Sequence, residues 1–353
     1  NTFVNQRFGG LDVSFIRGLY ILNNKFTSNT TSSSYKAIDL NSSDKYIEIS
    51  GNDISLSSAG SGMFLDGLNY GYGDPNGTAH VFNNMIRSAG TGLGIGIWNG
   101  KRVYTSFNNV YASGSGAAIE LAGGDSIYVR NNVLTSNTGR AFSSFSVTPY
   151  VLSDYNDLYS NSGDLGFWNN ILYPTFAEWQ AGTTFDSNSI NIDPEFVSGT
   201  DLHVLADTLD GAGIPIAGIS EDFDGNPRNA LMPDIGADEI GANDDDAGVL
   251  AILPEMPFAR GIQDVKAIVR NYGGNTITSV DINWVLNNVP QTPITYTGSL
   301  PSLQADTVTL GTVTFLLSTP YTIKSWTTDP NSNADLYPGN DTLVTTARYA
   351  AVS

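Results

Sequence analysis

Aromatic and charged side chains recur at a steady spacing in the first 160 residues of this sequence and could meet in one row. Counted from a repeated Asn-containing cassette, the row comprises Tyr20, Glu48, His80, Phe82, Phe107, Tyr128, Arg130 and Tyr155. If successive cassettes lie on strands about 4.8 Å apart, the row becomes a flat aromatic stripe. Sugar rings stack on such platforms, so the stripe predicts binding of an extended polysaccharide or surface glycan. The competing interpretation is that another segment covers these rings as ordinary packing.

Acidic and basic side chains in the same region could instead cleave a sugar chain. A lyase needs a cation held by carboxylates and a Lys or Arg base, whereas a hydrolase needs two carboxylates about 5 to 9.5 Å apart. The candidates for these catalytic roles are Glu120, Arg130, Asp154 and Lys101. Because the carboxylates are scattered along the repeat and do not converge, we expect a non-catalytic protein, with a polysaccharide lyase or glycoside hydrolase as the alternative.

One loop has the alternating oxygen donors of a calcium site. Asp222, Asp224 and Asn226 provide them, but the later bidentate Glu of a calcium loop is missing at the required spacing. Such Asp-Gly turns are usually structural, so Ca²⁺ is the one cofactor that the sequence leaves open. His203 follows Leu202 in a strand-like segment, where we expect it to pack without binding a metal ion.

A short cassette positions the predicted stripe. An apolar pair, two polar residues that are mostly Asn, a spacer and an apolar residue recur, with the second polar residue at positions 24, 52, 84, 109, 132 and 157. A repeat of this length is typical of a solenoid, in which each unit buries its apolar face against the next. The stacked Asn side chains should hydrogen bond to one another as a ladder that Asp157 ends.

A second strand in each repeat is visible as an ungapped match between residues 90–100 and residues 114–124. Residues 35–40 play the same part in an earlier repeat. Short strands with inward apolar residues, separated by glycine turns, predict a parallel β-helix. The Gly-rich insertion at residues 69–77 should protrude from one coil as a loop.

The end of the repeat carries a more specific pattern. The segments 153–156, 191–197, 201–204, 222–228 and 233–239 occur in the order found in bacterial extracellular β-helix proteins of the choice-of-anchor type, which this region resembles. This resemblance covers about 150–240 and implies a cap, at about 165–240, that ends the solenoid. The repeat itself resembles the right-handed parallel β-helix repeats of bacterial surface proteins and polysaccharide-active enzymes, so a right-handed β-helix with its cap is expected over residues 1–240. A helical turn is expected after Pro174, with Thr175 as its N-cap.

The rest of the chain predicts a second domain. Residues 241–248 are predicted to form an acidic linker. Strands of alternating apolar and polar residues at 249–353 predict a β-sandwich. Residues 270–273, 286–288, 329–331 and 338–342 resemble the adhesion-related immunoglobulin-like modules of bacterial surface proteins, which act mainly as spacers. Buried Trp284 is expected in the core of this domain. The predicted fold class is therefore all-β.

The amino-acid composition limits the classes of molecule that this protein is expected to bind. The net charge is -19, from 35 acidic and 16 basic residues, which disfavours nucleic acid and anionic membranes. No long apolar run predicts membrane insertion, and the sequence has no Cys for disulfides or thiolate metal sites. We expect a monomeric piece of a larger, secreted or cell-surface bacterial protein, serving in adhesion or carbohydrate recognition. A purely structural stalk is the further alternative.

Overall fold

The chain folds into two units, Asn1–Glu239 and Ile240–Ser353. The structure is a computed structural model that describes residues 1–69, 76–145, 150–161, 164–240, 245–254, 260–302, 304–316, 320–335 and 339–347. Most of the predicted protruding loop, at residues 70–75, lies outside these ranges, as do residues 241–244 of the predicted linker.

The first unit is a parallel β-solenoid with three sheets, and each coil adds one strand to each sheet. Sheet 1 contains Thr2–Val4, Lys25–Ser28, Asp53–Leu56, Met85–Ser88, Asn109–Ala112, Val133–Ser136 and Asp157–Ser160. Sheet 2 contains Leu11–Ser14, Lys36–Asn41, Ser61–Asp66, Ile95–Trp98, Ile119–Ala122, Phe142–Ser144, Gly166–Trp168 and Ile171–Tyr173. Sheet 3 contains Arg17–Leu22, Asp44–Ser50, Thr78–Phe82, Lys101–Ser106, Asp125–Arg130 and Val151–Asp154. The predicted fold class is confirmed.

Stacked aliphatic side chains fill the solenoid. The predicted match of residues 90–100 with residues 114–124 is confirmed, because Ile95 pairs with Ile119 in sheet 2. Both side chains are fully buried. Gly94, just before this strand, lies so close to its neighbours that a Cβ atom would stand 2.2 Å from Val110 Cγ1. This position therefore requires a small residue, because the packed core leaves no room for a side chain.

The asparagine ladder forms between sheets 3 and 1, in a register that differs in part from the prediction. Its members are Asn24, Asn52, Asn84, Asn108, Asn132 and Asn156. At each step one side-chain oxygen accepts both the backbone N–H and the side-chain N–H of the preceding Asn, at 2.9–3.1 Å. Asn109 and Asp157 begin strands of sheet 1 instead, and Asn156 ends the ladder.

The solenoid closes with a short helix. Gly166–Trp168 still pairs in parallel with the preceding coil, so the repeat continues past its predicted end, and Ile171–Tyr173 then turns back antiparallel. The helix Phe176–Thr183 has Thr175 as its N-cap, as predicted, in a capping box with Glu178. Trp179 is fully buried and donates its indole N–H to Asp186 Oδ2 at 2.8 Å.

Residues 190–239, which we call the strap, run back along the solenoid instead of ending it. The strap is irregular apart from a 3₁₀ turn, Asp207–Leu209. Asn residues next to the ladder hold it: Asn83 donates to Glu221 O at 2.7 Å, Asn109 to Leu202 O at 2.8 Å and Asn131 to Ile214 O at 2.7 Å. Of the predicted cap, the strap thus forms a side cover that rests on several coils, whereas the helix Phe176–Thr183 closes the end.

The second unit has two antiparallel sheets. One contains Ala247–Leu253, Gly261–Asn271 and Ala305–Phe315; the other contains Ile277–Leu286, Val289–Pro290, Ile294–Leu300, Tyr321–Thr328 and Thr342–Ala347. Trp284 is buried in the core that both sheets share. A 3₁₀ turn spans Pro330–Ser332. Residues 247–248 already belong to the first strand and Asp246 is buried, so this part of the predicted linker is structured.

Candidate functional site

A groove of about 480 Å³ lies between sheet 3 and the strap. Its floor comes from four neighbouring coils, with Tyr46, Glu48, His80, Phe82, Tyr104, Ser106, Tyr128 and Arg130. Its opposite wall is residues 216–219 of the strap, Ile-Ala-Gly-Ile. A cleft of this size is in the range that binds small molecules or a few residues of a polymer.

The rings on the floor stack on one another along the solenoid axis. His80 and Tyr104 have ring centroids 4.9 Å apart at an interplanar angle of 8°, and Tyr104 and Tyr128 are 4.5 Å apart at 3°. The parallel pairing of Tyr104 with both neighbours imposes this spacing. Both faces of Tyr104 are consequently covered by other rings, and the row offers its polar edges.

The prediction of a flat platform of ring faces is therefore wrong for the middle of the row. At one end of the row, Tyr20 is 61 % and Tyr46 is 42 % exposed, with their centroids 5.7 Å apart, and Tyr20 lies outside the residues that line the groove. Tyr46 also packs on His80 at 5.4 Å. The groove can thus hydrogen bond to a chain along its floor, and Tyr20, beyond its end, is the exposed ring on which a sugar could stack.

Burial and one carboxylate set the protonation of the floor. Burial lowers the pKa of His80, and the charge of Glu48 opposes this shift only in part, so the imidazole is neutral near pH 7. Burial and the hydrogen bond to Glu48 raise the pKa of Tyr46 to about 12. Burial likewise raises the pKa of Tyr128, helped by Tyr104. The floor therefore presents neutral hydroxyl and imidazole groups beside Glu48.

Arg130 supplies a positive charge at the edge of this floor. Its Nε atom is buried and has no hydrogen-bond partner among the described residues. Its strand neighbour Asp154 accepts the backbone N–H and side-chain N–H of Asn188 at 2.7 and 2.8 Å. One buried donor of Arg130 thus has no partner among the described residues.

Two predicted members of the row lie elsewhere. Phe107 precedes Asn108 of the ladder at a left-handed bend with φ 54°, and it is fully buried with the Arg228 guanidinium 4.0 Å from its ring centre. Tyr155 occupies the same bend before Asn156, with φ 58°, and does not line the groove. Tyr104 takes the place in the row that the prediction gave to the coil of Phe107. The alternation of apolar and polar residues around an Asn-Asn pair fits either register, so the sequence could reveal Tyr104 only through the 24-residue spacing of His80, Tyr104 and Tyr128.

The four predicted catalytic residues do not form one cluster, although Arg130 and Asp154 are neighbours on adjacent strands. Glu120 lies on sheet 2, whereas Arg130, Asp154 and Lys101 lie on sheet 3. Glu120 is 9 % exposed and accepts the indole N–H of Trp98 at 3.3 Å; its pKa is raised by burial. Lys101 pairs with Asp125 at the start of its strand. Ser106, which pairs with Arg130, lies five positions later in the same strand, so Lys101 is about 16 Å from the level of Arg130.

The predicted calcium loop is a hydrogen-bonded turn. Asp222 Oδ1 accepts the backbone N–H groups of Asp224 and Asn226 at 2.9 and 2.8 Å, and its Oδ2 accepts that of Glu239 at 3.1 Å. Burial raises the pKa of Asp222. The three predicted ligands do not share one coordination point, because Asp222 oxygens are engaged by the backbone and Asp224 accepts from His203 Nε2 at 2.9 Å.

His203 has carboxylates on both sides, which the sequence reading missed. Its Nδ1 contacts Asp201 and its Nε2 contacts Asp224, and Asp238 lies in the same cluster. Burial alone would lower the pKa of His203, but its hydrogen bonds to Asp201 and Asp224 raise it to about 11. No spacing signal connects these residues, because they come from three separate segments of the strap.

Comparisons with known proteins do not assign a family. No protein-family model matches the sequence, and neither does any curated protein. One similar solved structure is a domain assigned to a cell surface protein of Methanosarcina acetivorans, at 19 % identity and TM-score 0.26 over 30 % of this chain and 91 % of that chain. Another is a CARDB domain from Pyrococcus furiosus in complex with di-metal ions, at 16 % identity and TM-score 0.24 over 29 % and 84 %. Similarities this low carry no functional argument.

Proposed function

We propose that the solenoid is a non-catalytic carbohydrate-recognition module displayed on a secreted or cell-surface protein, and that its groove binds an extended glycan. The observation that supports this proposal is the row of polar ring edges at the coil spacing, facing an apolar wall. A sugar chain is amphipathic in the same way, with hydroxyl groups around its rim and C–H groups on its faces.

Charge favours a neutral glycan over a polyanion. The chain carries a net charge of -19, which repels long acidic polymers at low ionic strength. Within the groove, Glu48 accepts hydrogen bonds from Tyr46 and Ser50 at 2.9 and 3.1 Å and is positioned to accept others.

The described helices are too short and polar to cross a bilayer. Surface display itself rests on the resemblance of residues 150–240 to extracellular β-helix proteins.

The test is binding of the full chain to a panel of soluble neutral and acidic polysaccharides, with released chain ends followed in parallel. The combined variant Tyr104→Phe and Tyr128→Phe keeps the ring stack and removes only two hydroxyl groups. We expect it to weaken binding about tenfold or more, since each lost hydrogen bond contributes about 1 kcal/mol. Tyr111→Phe, outside the groove, is the matched control. Unchanged binding in the double variant would exclude this groove as the site.

A β-elimination lyase is the second candidate, because the groove joins a neutral imidazole to Tyr hydroxyls and the Arg130 guanidinium. In such a reaction His80 would take the proton next to a uronate carboxylate, Arg130 would pair with that carboxylate, and a Tyr hydroxyl would protonate the leaving oxygen. This reading requires release of unsaturated chain ends from a uronate polymer and loss of that release in His80→Gln. Binding without release supports recognition, and neither activity supports a structural stalk.

A further inference from the structure

We propose that His203, Asp224 and Asp238 form a binding site for a divalent transition-metal ion, of which Zn²⁺ is the representative. The imidazole nitrogen and two carboxylate oxygens all lie within 4.8 Å of one another. Metal–ligand bonds of about 2.0–2.2 Å place neighbouring ligand atoms about 3–3.5 Å apart. Closing from the observed separation needs only small side-chain rotations. This inference is independent of the proposed glycan binding.

The surroundings of His203 orient its ring for this role. Asp201 contacts Nδ1 and thereby directs Nε2 toward Asp224, 2.9 Å away. A carboxylate behind a ligating imidazole is the usual outer support of a metal-bound His, because it fixes the tautomer and the ring plane. In the metal-free chain a proton on Nε2 bridges to Asp224, and the ion would take the place of that proton.

The three ligands are held by separate but well-anchored segments. The backbone carbonyl of His203 accepts the N–H of Val197 at 3.0 Å. Asp224 belongs to the turn fixed by Asp222, and Asp238 precedes Glu239, which the buried Arg228 contacts at 3.1 Å. The site is partly open, since the side chains of His203 and Asp224 are 14 % and 27 % exposed. Solvent can therefore reach the ion and complete its coordination.

The donor set distinguishes the class of ion. Ca²⁺ and Mg²⁺ prefer oxygen ligands alone, whereas one imidazole with two carboxylates suits Zn²⁺, Mn²⁺ and similar ions. Two negative carboxylates also balance the charge of a divalent ion bound to a neutral imidazole.

The place of the site in the chain suggests what the metal ion does. His203 and Asp224 bracket the part of the strap that contains residues 216–219, the apolar wall of the groove. The His203–Asp224 hydrogen bond already joins the two ends of this segment, and an ion that also binds Asp238 would restrict its conformations further. Metal binding would therefore order the groove wall.

The test uses the full chain, freed of metal with EDTA and titrated with Zn²⁺ or Ca²⁺ by calorimetry. We expect one Zn²⁺ per chain, much weaker Ca²⁺ binding, and slower hydrogen exchange in residues 204–222 when Zn²⁺ is added. His203→Asn keeps a donor near Nδ1 for Asp201 but removes Nε2. Because loss of an outer-shell partner alone weakens metal binding by about 10- to 100-fold, loss of this ligand should weaken Zn²⁺ binding by about tenfold or more. Asp238→Asn should do the same, while Asp210→Asn at an exposed position of the strap should not.

Three results would overturn the proposal. They are the absence of stoichiometric Zn²⁺ binding, Zn²⁺ binding that survives both His203→Asn and Asp238→Asn, and loss of Zn²⁺ binding in His80→Asn, the other histidine of the chain. Hydrogen exchange of residues 204–222 that is unchanged by bound Zn²⁺ would overturn the role in ordering the wall. Circular dichroism of each variant shows whether the solenoid is folded, so that a folding defect is not mistaken for ligand loss.

Discussion

Replacing Asn108 in the middle of the asparagine ladder should destabilise the solenoid far more than replacing Asn24 at its end. Asn108 is fully buried, and its Oδ1 accepts the backbone and side-chain N–H groups of Asn84 at 3.1 and 2.9 Å. Its Nδ2 donates to Val81 O, Ser106 O and Asn132 Oδ1 at 2.9–3.1 Å. One side chain therefore connects three coils.

The size of the effect follows from the groups left without partners. Asn108→Ala leaves the buried backbone N–H of Asn84 without an acceptor, which costs about 1–3 kcal/mol of stability. Each further lost hydrogen bond costs about 1 kcal/mol. We expect a loss of about 3–5 kcal/mol in the free energy of unfolding. Asn24 Oδ1 accepts from the side chain of Asn1 at 3.0 Å, and no described backbone N–H depends on it. Asn24→Ala should cost about 1–2 kcal/mol.

Urea denaturation of the full chain gives the two free energies, and fragment-resolved hydrogen exchange assigns the transition to the solenoid. In Asn108→Ala the amide of Asn84 should lose protection. The amide of Asn132, which donates to Asn156 Oδ1 at 2.9 Å, should keep it and serves as an internal control. Equal costs for the two variants, together with a protected Asn84 amide, would refute the ladder as a source of stability.

Three further predictions concern the strap, the helix cap and the second unit. The Arg228 side chain is 2 % exposed, and its guanidinium contacts Glu239 and the Phe107 ring. Arg228→Met removes these contacts, so it should lower the free energy of unfolding by about 3 kcal/mol and raise hydrogen exchange throughout the strap. Unchanged exchange would contradict this role. Thr175→Ala removes the helix N-cap and should lower stability by about 1 kcal/mol in urea denaturation, and Thr175→Ser should restore most of it. Burial, together with the charge and hydrogen bond of Asp335, raises the pKa of Asp341 to about 7. The protonated form is thus favoured in the folded unit, which loses stability as pH rises from about 4 through 7. Asp341→Asn should remove that loss and gain about 1–2 kcal/mol at pH 8 after solvent screening, as measured by thermal unfolding at pH 4 and pH 8; an identical pH dependence in both proteins would be the contrary result.

The repeat made the solenoid predictable. Each coil must pair with the next, so its strands carry the same inward apolar pattern, and that pattern is visible as a 24-residue match such as Ile95 with Ile119. The helix after Pro174 was also predictable, because Thr175 and Glu178 form a cap from neighbouring residues. Both signals are local or periodic, and the alternating strands of residues 249–353 likewise indicated the second all-β unit.

Tertiary structure decided the register of the ladder and the make-up of the site. An Asn-Asn pair allows two alignments that differ by one residue, and a shift of one residue exchanges the two faces of a strand. Pairing across coils chose Asn108 over Asn109, which buried Phe107 and placed Tyr104 in the groove. The groove wall and the cluster around His203 depend on the strap, whose contacts join residues far apart in sequence through irregular backbone. Such contacts follow no period and cannot be predicted from the repeat. The sequence by itself therefore determined the solenoid fold, and only the tertiary structure determined which side chains form the groove and the His203 cluster.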